Sequence, residues 1–240
     1  MLRLWVSSHT HASLLPSSRY FPLRFHVIKS LLRIISRTGT YIPLSPFLLE
    51  ILDSAEFRRS NPKKATLKPL DLEYIIRAPA AYPKTRIYQE TLGDELVYLL
   101  AEYHTAVSTH VAFPEMVLPV VLTIKRHLKK GTAGSPKVQA QLKTLVEKLE
   151  ATKTWVEGKR RSVSFAPRDR GEVSRFAEKL KVDETPVGNW TRVTRKVREQ
   201  KRREVERALR EEKGEEEEEE DDDEDEDSEG EMELDSEDDE

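Results

Sequence analysis

The chain has 240 residues and no cysteine, which excludes disulfides, thiolate nucleophiles and thiolate metal sites. Its formal net charge of −4 hides a reversal near Lys213: residues 1–210 carry 39 Lys and Arg against 21 Asp and Glu, whereas residues 211–240 carry 23 acids against Lys213 alone. A cationic body with a polyanionic tail suits a protein that handles polyanions or basic partners. No apolar run is long enough to span a bilayer, so no membrane contact is expected.

Residues 1–18 are unassigned and expected to be disordered. Arg3, Arg19, Arg24, Lys29, Arg33 and Arg37 precede the first acid, Glu50, which is the composition of a mitochondrial transit peptide. A basic helix of the folded part is the preferred reading, because Phe25, Ile28, Leu31, Leu32 and Ile35 form an apolar stripe over Pro22–Arg37, with Gly39 as the exit. Ser45 as N-cap and Pro46 at the first helical position predict a short helix burying Phe47, Leu48, Ile51 and Leu52. From Asp53 to Glu90, Pro62, Pro69, Pro79 and Pro83 predict an extended connection. Its one apolar stretch, Leu70–Ile76, allows at most one short strand or helical turn. So long a connection is expected to pack against a surface.

Thr91 and Asp94 make a capping pattern for a helix with Leu96, Leu99, Leu100 and Tyr103 on its stripe. Phe113-Pro114 opens the next, with Val117, Val120, Val121, Ile124 and Leu128 along one side, a bend expected at Pro119 and an end at Gly131. Ser135-Pro136 opens a long helix carrying Val138, Leu142, Leu145, Val146, Leu149 and Val156. Antiparallel helices with basic ends predict an all-α fold, a HEAT/armadillo-like α-solenoid segment over residues 19–158. A basic, partly helical extension at 159–210 and a disordered acidic tail at 211–240 follow. Solenoid ends need capping, so Phe25 and Ile28 are expected to lie exposed.

No catalytic arrangement emerges. Gly131-x-x-Gly134 lacks the strand and the Lys-Ser/Thr of a phosphate loop, no nucleophile elbow occurs, and Glu95, Glu102 and Glu115 are expected on polar faces or at helix starts. His9-x-His11 lacks further ligands at metal spacing, and His104 and His110 are expected at the surface or its boundary. Neither an enzyme nor a cofactor is expected.

The basic clusters are better candidates. Lys125, Arg126, Lys129 and Lys130, then Lys159, Arg160 and Arg161, then Arg195, Lys196, Lys201, Arg202 and Arg203 suit phosphate-backbone contact or nuclear import. Trp155, Phe165, Phe176 and Trp190 lie among them, where they can stack on exposed bases. The competing reading of Arg192–Arg210 is a solvated helix with Glu199, Glu204 and Glu206 paired to neighbouring arginines. Arg161-Ser-Val-Ser-Phe165 has the form of a docking motif for protein phosphatase 1, with Val163 and Phe165 as the inserted side chains. The alternative is that both fold back onto the chain's own helices. Ser228 and Ser236 sit in acidic contexts suited to an acidophilic kinase such as casein kinase 2.

Several stretches, in order, resemble the nucleolar complex protein 2 family. They are Arg19-Tyr-Phe-Pro-Leu-Arg-Phe-His26, Lys29-Ser-Leu-Leu32, Thr38–Leu52, Lys68-Pro69, Phe113–Val121 and Arg161–Phe165. The family's members are much longer, so the chain looks like their C-terminal portion. The resemblance implies a non-enzymatic, helical-repeat factor of nucleolus and nucleoplasm, acting in assembly and intranuclear movement of large-subunit (pre-60S) ribosomal precursors. It further implies nucleolar complex proteins 1 and 3 as partners, within a particle containing ribosomal RNA. The alternatives are a chromatin regulator binding histones through the acidic tail and a mitochondrial matrix protein.

Overall fold

The computed structural model describes residues 18–58, 62–64, 66–161, 163, 165 and 168–229, with side chains described to Arg210 except Leu209. The expected disorder before Ser18, the His9–His11 pair and Arg3 of the transit-peptide reading fall outside the described residues; its other cations, Arg19 to Arg37, lie in or next to a helix whose apolar stripe is buried. So does Ser236.

The fold is all-helical. After a short 3-10 turn at Ser18–Tyr20 come α1 (Phe21–Thr38), α2 (Ser45–Leu49) and α3 (Ala55–Arg58). Three long helices follow, α4 (Arg86–Ala106), α5 (Phe113–Lys130) and α6 (Pro136–Arg160), and then α7 (Arg170–Glu178) and α8 (Pro186–Glu229). Among the described residues there is no strand, and one isolated parallel bridge joins Lys63 to Thr85.

Local chemistry sets most helix ends. Gly39 and Gly131 take φ values of 64° and 66°, the left-handed conformation that closes α1 and α5. Ser135 caps α6, its hydroxyl accepting from the Val138 amide, with Pro136 in the first turn. α4 begins earlier than the Thr91–Asp94 pattern predicts. Thr85 is its cap, accepting from the Tyr88 amide at 3.2 Å. Thr91 lies inside the helix with its hydroxyl on the Ile87 carbonyl, and Asp94 reaches across to α6. Ser45 does not cap α2 either; its hydroxyl is turned inward to His104.

Two compact units are present, residues 1–192 and 193–240. In the first, α4 packs against α1, α2 and α6, while α5 packs against α6 and α2. Phe25, Ile28, Leu92, Leu96, Leu100, Val117, Ile124, Val138, Leu142 and Leu149 share one core. Phe25 and Ile28 are buried rather than exposed, because α4 covers them. Each fully buried Leu or Ile contributes roughly 1.5–3 kcal/mol. The long connection is pinned to the body, with Leu72 and Ala78 buried and Ala78 bonded through its amide and carbonyl to Arg19.

The compact body extends past Gly158. Thr185 caps the start of α8, accepting from the Gly188 amide, and touches Ser108 at 3.3 Å. Thr152 accepts from the Val187 amide at 2.9 Å, and Thr105 meets Thr191 at 2.8 Å. These hydroxyls seat the chain from Thr185 to Thr191 against α4 and α6. The second unit, from Val193, is helix whose described side chains are exposed except half-buried Thr194 and Arg198. Over Glu211–Glu229 the backbone is helical.

Two features of α4 yield tests. A Cβ on Gly93 would fall inside contact distance of both methyls of buried Val138. Gly93→Ala is therefore expected to lower stability by about 1–3 kcal/mol despite its better helix propensity. Urea unfolding should show the loss, and adding Val138→Ala should recover part of it.

His104, wholly buried beside Tyr103 and Phe113, donates from Nδ1 to the Leu100 carbonyl at 2.7 Å and accepts at Nε2 from Ser45. Burial lowers its pKa to about 4, outweighing the Leu100 bond. Above pH ~6.5 the imidazole is neutral in both folded and unfolded chains. Between that value and about 4 only the unfolded chain takes up the proton, so stability falls as pH falls. The loss is on the order of 3 kcal/mol. The pH slope of the urea midpoint in this window should flatten in His104→Gln.

Candidate basic interface

The predicted cations fall in three places. Lys125, Arg126, Lys129 and Lys130 are exposed on the last turns of α5, where the helix dipole favours positive charge. Lys159, Arg160 and Arg161 end α6. α5 and α6 run antiparallel, as Lys125 with Glu150 (2.6 Å) and Arg160 with Glu115 (2.8 Å) show. The two clusters therefore lie at opposite ends of the hairpin, separated by most of the 18 residues of α5. From Glu115 to Lys125–Lys130 is ten to fifteen residues, about 15–22 Å of helix at about 1.5 Å per residue. They do not form one patch.

Their side chains differ in role. Arg160 is half-buried and donates from Nη1 to the Val111 carbonyl (3.2 Å) and both oxygens of Glu115, tying the end of α6 to the start of α5. Partial burial pushes the Glu115 carboxyl up, but the Arg160 bonds and the Arg160 and Lys153 charges hold it below the usual range. Lys125 is occupied by Glu150, Lys159 lies over the Trp155 ring, and Arg161 is exposed. At the far end of α5, His127 is held below its ordinary value by burial first. Asp53 opposes this, and the charges of Lys130, Arg58 and Arg126 reinforce it.

Arg195, Lys196, Lys201, Arg202 and Arg203 lie on the exposed part of α8. Arg203 pairs with Glu199 at 2.6 Å and Arg202 with Glu206 at 3.3 Å, both one turn apart. Such pairs contribute about 0.2–0.5 kcal/mol each to a helix, and the paired guanidinium groups remain solvent-facing. Between Arg192 and Arg210 nine Lys or Arg accompany three Glu, so the stretch keeps a strong positive excess.

The aromatic residues near the basic clusters are buried or half-buried. Phe176 is buried, and Trp155 and Trp190 pack against the core. Phe165 sets its ring edge-on to Phe176 at 6.3 Å, and Val163 is half-buried. Ser228 lies in the helical backbone of α8, with its side chain outside the described part.

Sequence reasoning missed two polar features. Glu95 is buried, not on a polar face, and meets Lys29 of α1 at 2.9 Å. His104 is a core residue. Periodicity marks neither, because both sit where a second helix covers what would otherwise be the polar side of α4. Among the described residues no three His, Asp or Glu side chains gather at metal-binding range, and no described helix is long and apolar enough to cross a membrane.

An all-helical body whose exposed cations line helix ends and one long helix defines an all-α protein with a strongly basic surface. The chain belongs to the Noc2p family, whose sequence profile matches residues 8–194. It is similar to an uncharacterized NOC2 family protein of Schizosaccharomyces pombe, 38% identical over 82% of this chain and 27% of that protein. It is also similar to nucleolar complex protein 2 of Drosophila melanogaster, 30% identical over 79% of this chain and 25% of that protein. Nucleolar complex-associated protein 2 of Arabidopsis thaliana is 29% identical over 79% of this chain and 24% of its own length. The chain thus spans about a quarter of the length of these curated relatives.

The arginines at the end of α6 are separable by experiment. Arg160→Ala should lower stability by about 1 kcal/mol through loss of the Val111 and Glu115 contacts. Arg161→Ala should leave the urea midpoint unchanged.

Proposed function

We propose that the chain is part of a non-enzymatic ribosome-biogenesis factor, a HEAT/armadillo-like scaffold of nucleolus and nucleoplasm. It acts in assembly and intranuclear transport of pre-60S particles, with nucleolar complex proteins 1 and 3 as protein partners. Membership of the Noc2p family carries this reading, and relatives named nucleolar complex protein 2 and nucleolar complex-associated protein 2 support it.

Within that role the basic region Gly158–Arg210 contributes sequence-independent contact to ribosomal RNA. The exposed cations of α8 support this, because phosphate contact needs solvent-facing charge and no base-reading geometry. The acidic residues after Arg210 compete for the same cations and weaken the contact.

The test is binding of the full chain to a single-stranded RNA oligonucleotide across a salt series. The affinity should fall steeply with salt, with each neutralised phosphate adding about 0.7 to the log–log slope. Combined Arg195→Glu, Lys196→Glu and Lys201→Glu should weaken binding by about tenfold or more and flatten the slope. Deleting Glu211–Glu240 should tighten it. Salt-insensitive binding would overturn the phosphate contact, and an unchanged affinity on deletion would remove the tail's inhibitory role. Affinity purification from nuclear extract should recover large-subunit precursor RNA; recovery of histones through the tail alone would instead favour the chromatin reading.

A further inference from the structure

Three helix seams inside the body share one construction. Apolar side chains meet between the helices, and a cation on one helix meets a carboxylate on the next. Lys29 meets Glu95 at 2.9 Å between α1 and α4, Lys137 meets Asp94 at 2.7 Å between α6 and α4, and Lys125 meets Glu150 at 2.6 Å between α5 and α6. These pairs link neighbouring helices.

The outer face of α5 carries one half of such a seam. Leu118 and Leu122, one turn apart, are 46% and 54% exposed. Arg126 continues the same line after a further turn, and Lys129 and Lys130 end it, all three exposed. None of these three makes an ion pair with a described residue. The apolar and cationic elements are present and the carboxylates are missing.

We propose that this face of α5 docks a helix of another protein, one bearing two large apolar side chains a turn apart and carboxylates beyond them. Charge complementarity selects the acidic partner, and the two leucines select a protein. A phosphate backbone would engage Arg126, Lys129 and Lys130 but would leave Leu118 and Leu122 in water. Base stacking calls for flat rings or guanidinium planes, which leucine does not supply. Burying two half-exposed leucines under a partner helix adds apolar stabilisation that salt does not screen, while the cations set register and partner choice. The partner protein rests on the scaffold reading; the RNA contact proposed for α8 uses other residues, so either can fail alone.

The experiment titrates the full chain against a short alanine-based helical peptide carrying two leucines one turn apart and glutamates in the following turns. Fluorescence anisotropy reads the binding, with a leucine-to-alanine version of the peptide as control. The peptide should bind and the control should bind at least about tenfold more weakly. Leu118→Ser with Leu122→Ser should cost a similar factor, as should Arg126→Glu with Lys129→Glu. All four positions are exposed, so thermal unfolding should confirm that both variants keep the fold. RNA binding by the full chain should not change in the leucine variant. The proposal is overturned if the peptide fails to bind, or if the leucine variant binds it as well as the unaltered chain. Displacement of the peptide by an RNA oligonucleotide would instead make the end of α5 a phosphate site.

Discussion

α4 is enclosed on three sides, and the other helices of the first unit are placed by what they offer it. α1 covers one side, α2 another and α6 a third, leaving a half-exposed stripe of Glu90, Thr91, Asp94, Tyr98, Glu102 and Thr105. A helix in that position must satisfy each polar group on its covered sides inside the protein. Glu95 does so with Lys29, His104 with Leu100 and Ser45, and Gln89 with the Glu56 carbonyl. Burial likewise pushes the Tyr88 and Tyr103 phenols upward, so both remain neutral. Gly93 lets α6 approach closely enough to complete the enclosure.

Enclosure of α4 also determines where cations can act. Lys29, Lys137 and Arg160 are drawn into contacts that link neighbouring helices. Cations beyond the seams keep their charge toward solvent. Arg126, Lys129 and Lys130 share the α5 face with two leucines, whereas the cations of α8 share theirs with glutamates one turn away. Charge of one sign therefore stands in two settings, beside apolar side chains on α5 and beside carboxylates on α8. The proposed helix-docking face rests on the first and the proposed phosphate contact on the second.

Much of the helical pattern was legible because its causes are local. The stripes of α1, α5 and α6, the glycine exits at Gly39 and Gly131 and the Ser135 cap all follow from residues within a turn or two. The Thr91–Asp94 pattern misled because capping chemistry recurs inside helices, where threonine hydroxyls bond back to carbonyls one turn earlier. The Thr185-Pro186 start of α8 had a readable signal, the same cap-plus-proline pair as Ser135-Pro136. Its seat against Ser108 and Thr152 had none, since those hydroxyls come from segments far away in the chain.

By itself the sequence determined the all-helical class, most helix positions, the family resemblance and the charge reversal near Lys213, because periodicity, capping and charge are properties of neighbouring residues. Only the tertiary structure decided that the two basic clusters of the α5–α6 hairpin lie at opposite ends and that Glu95 and His104 are interior. It also decided that Arg160 is a structural tie, and that Leu118 and Leu122 stay uncovered by the described residues. Those outcomes depend on which helix face meets which partner, a long-range choice made by packing and desolvation that no local pattern encodes.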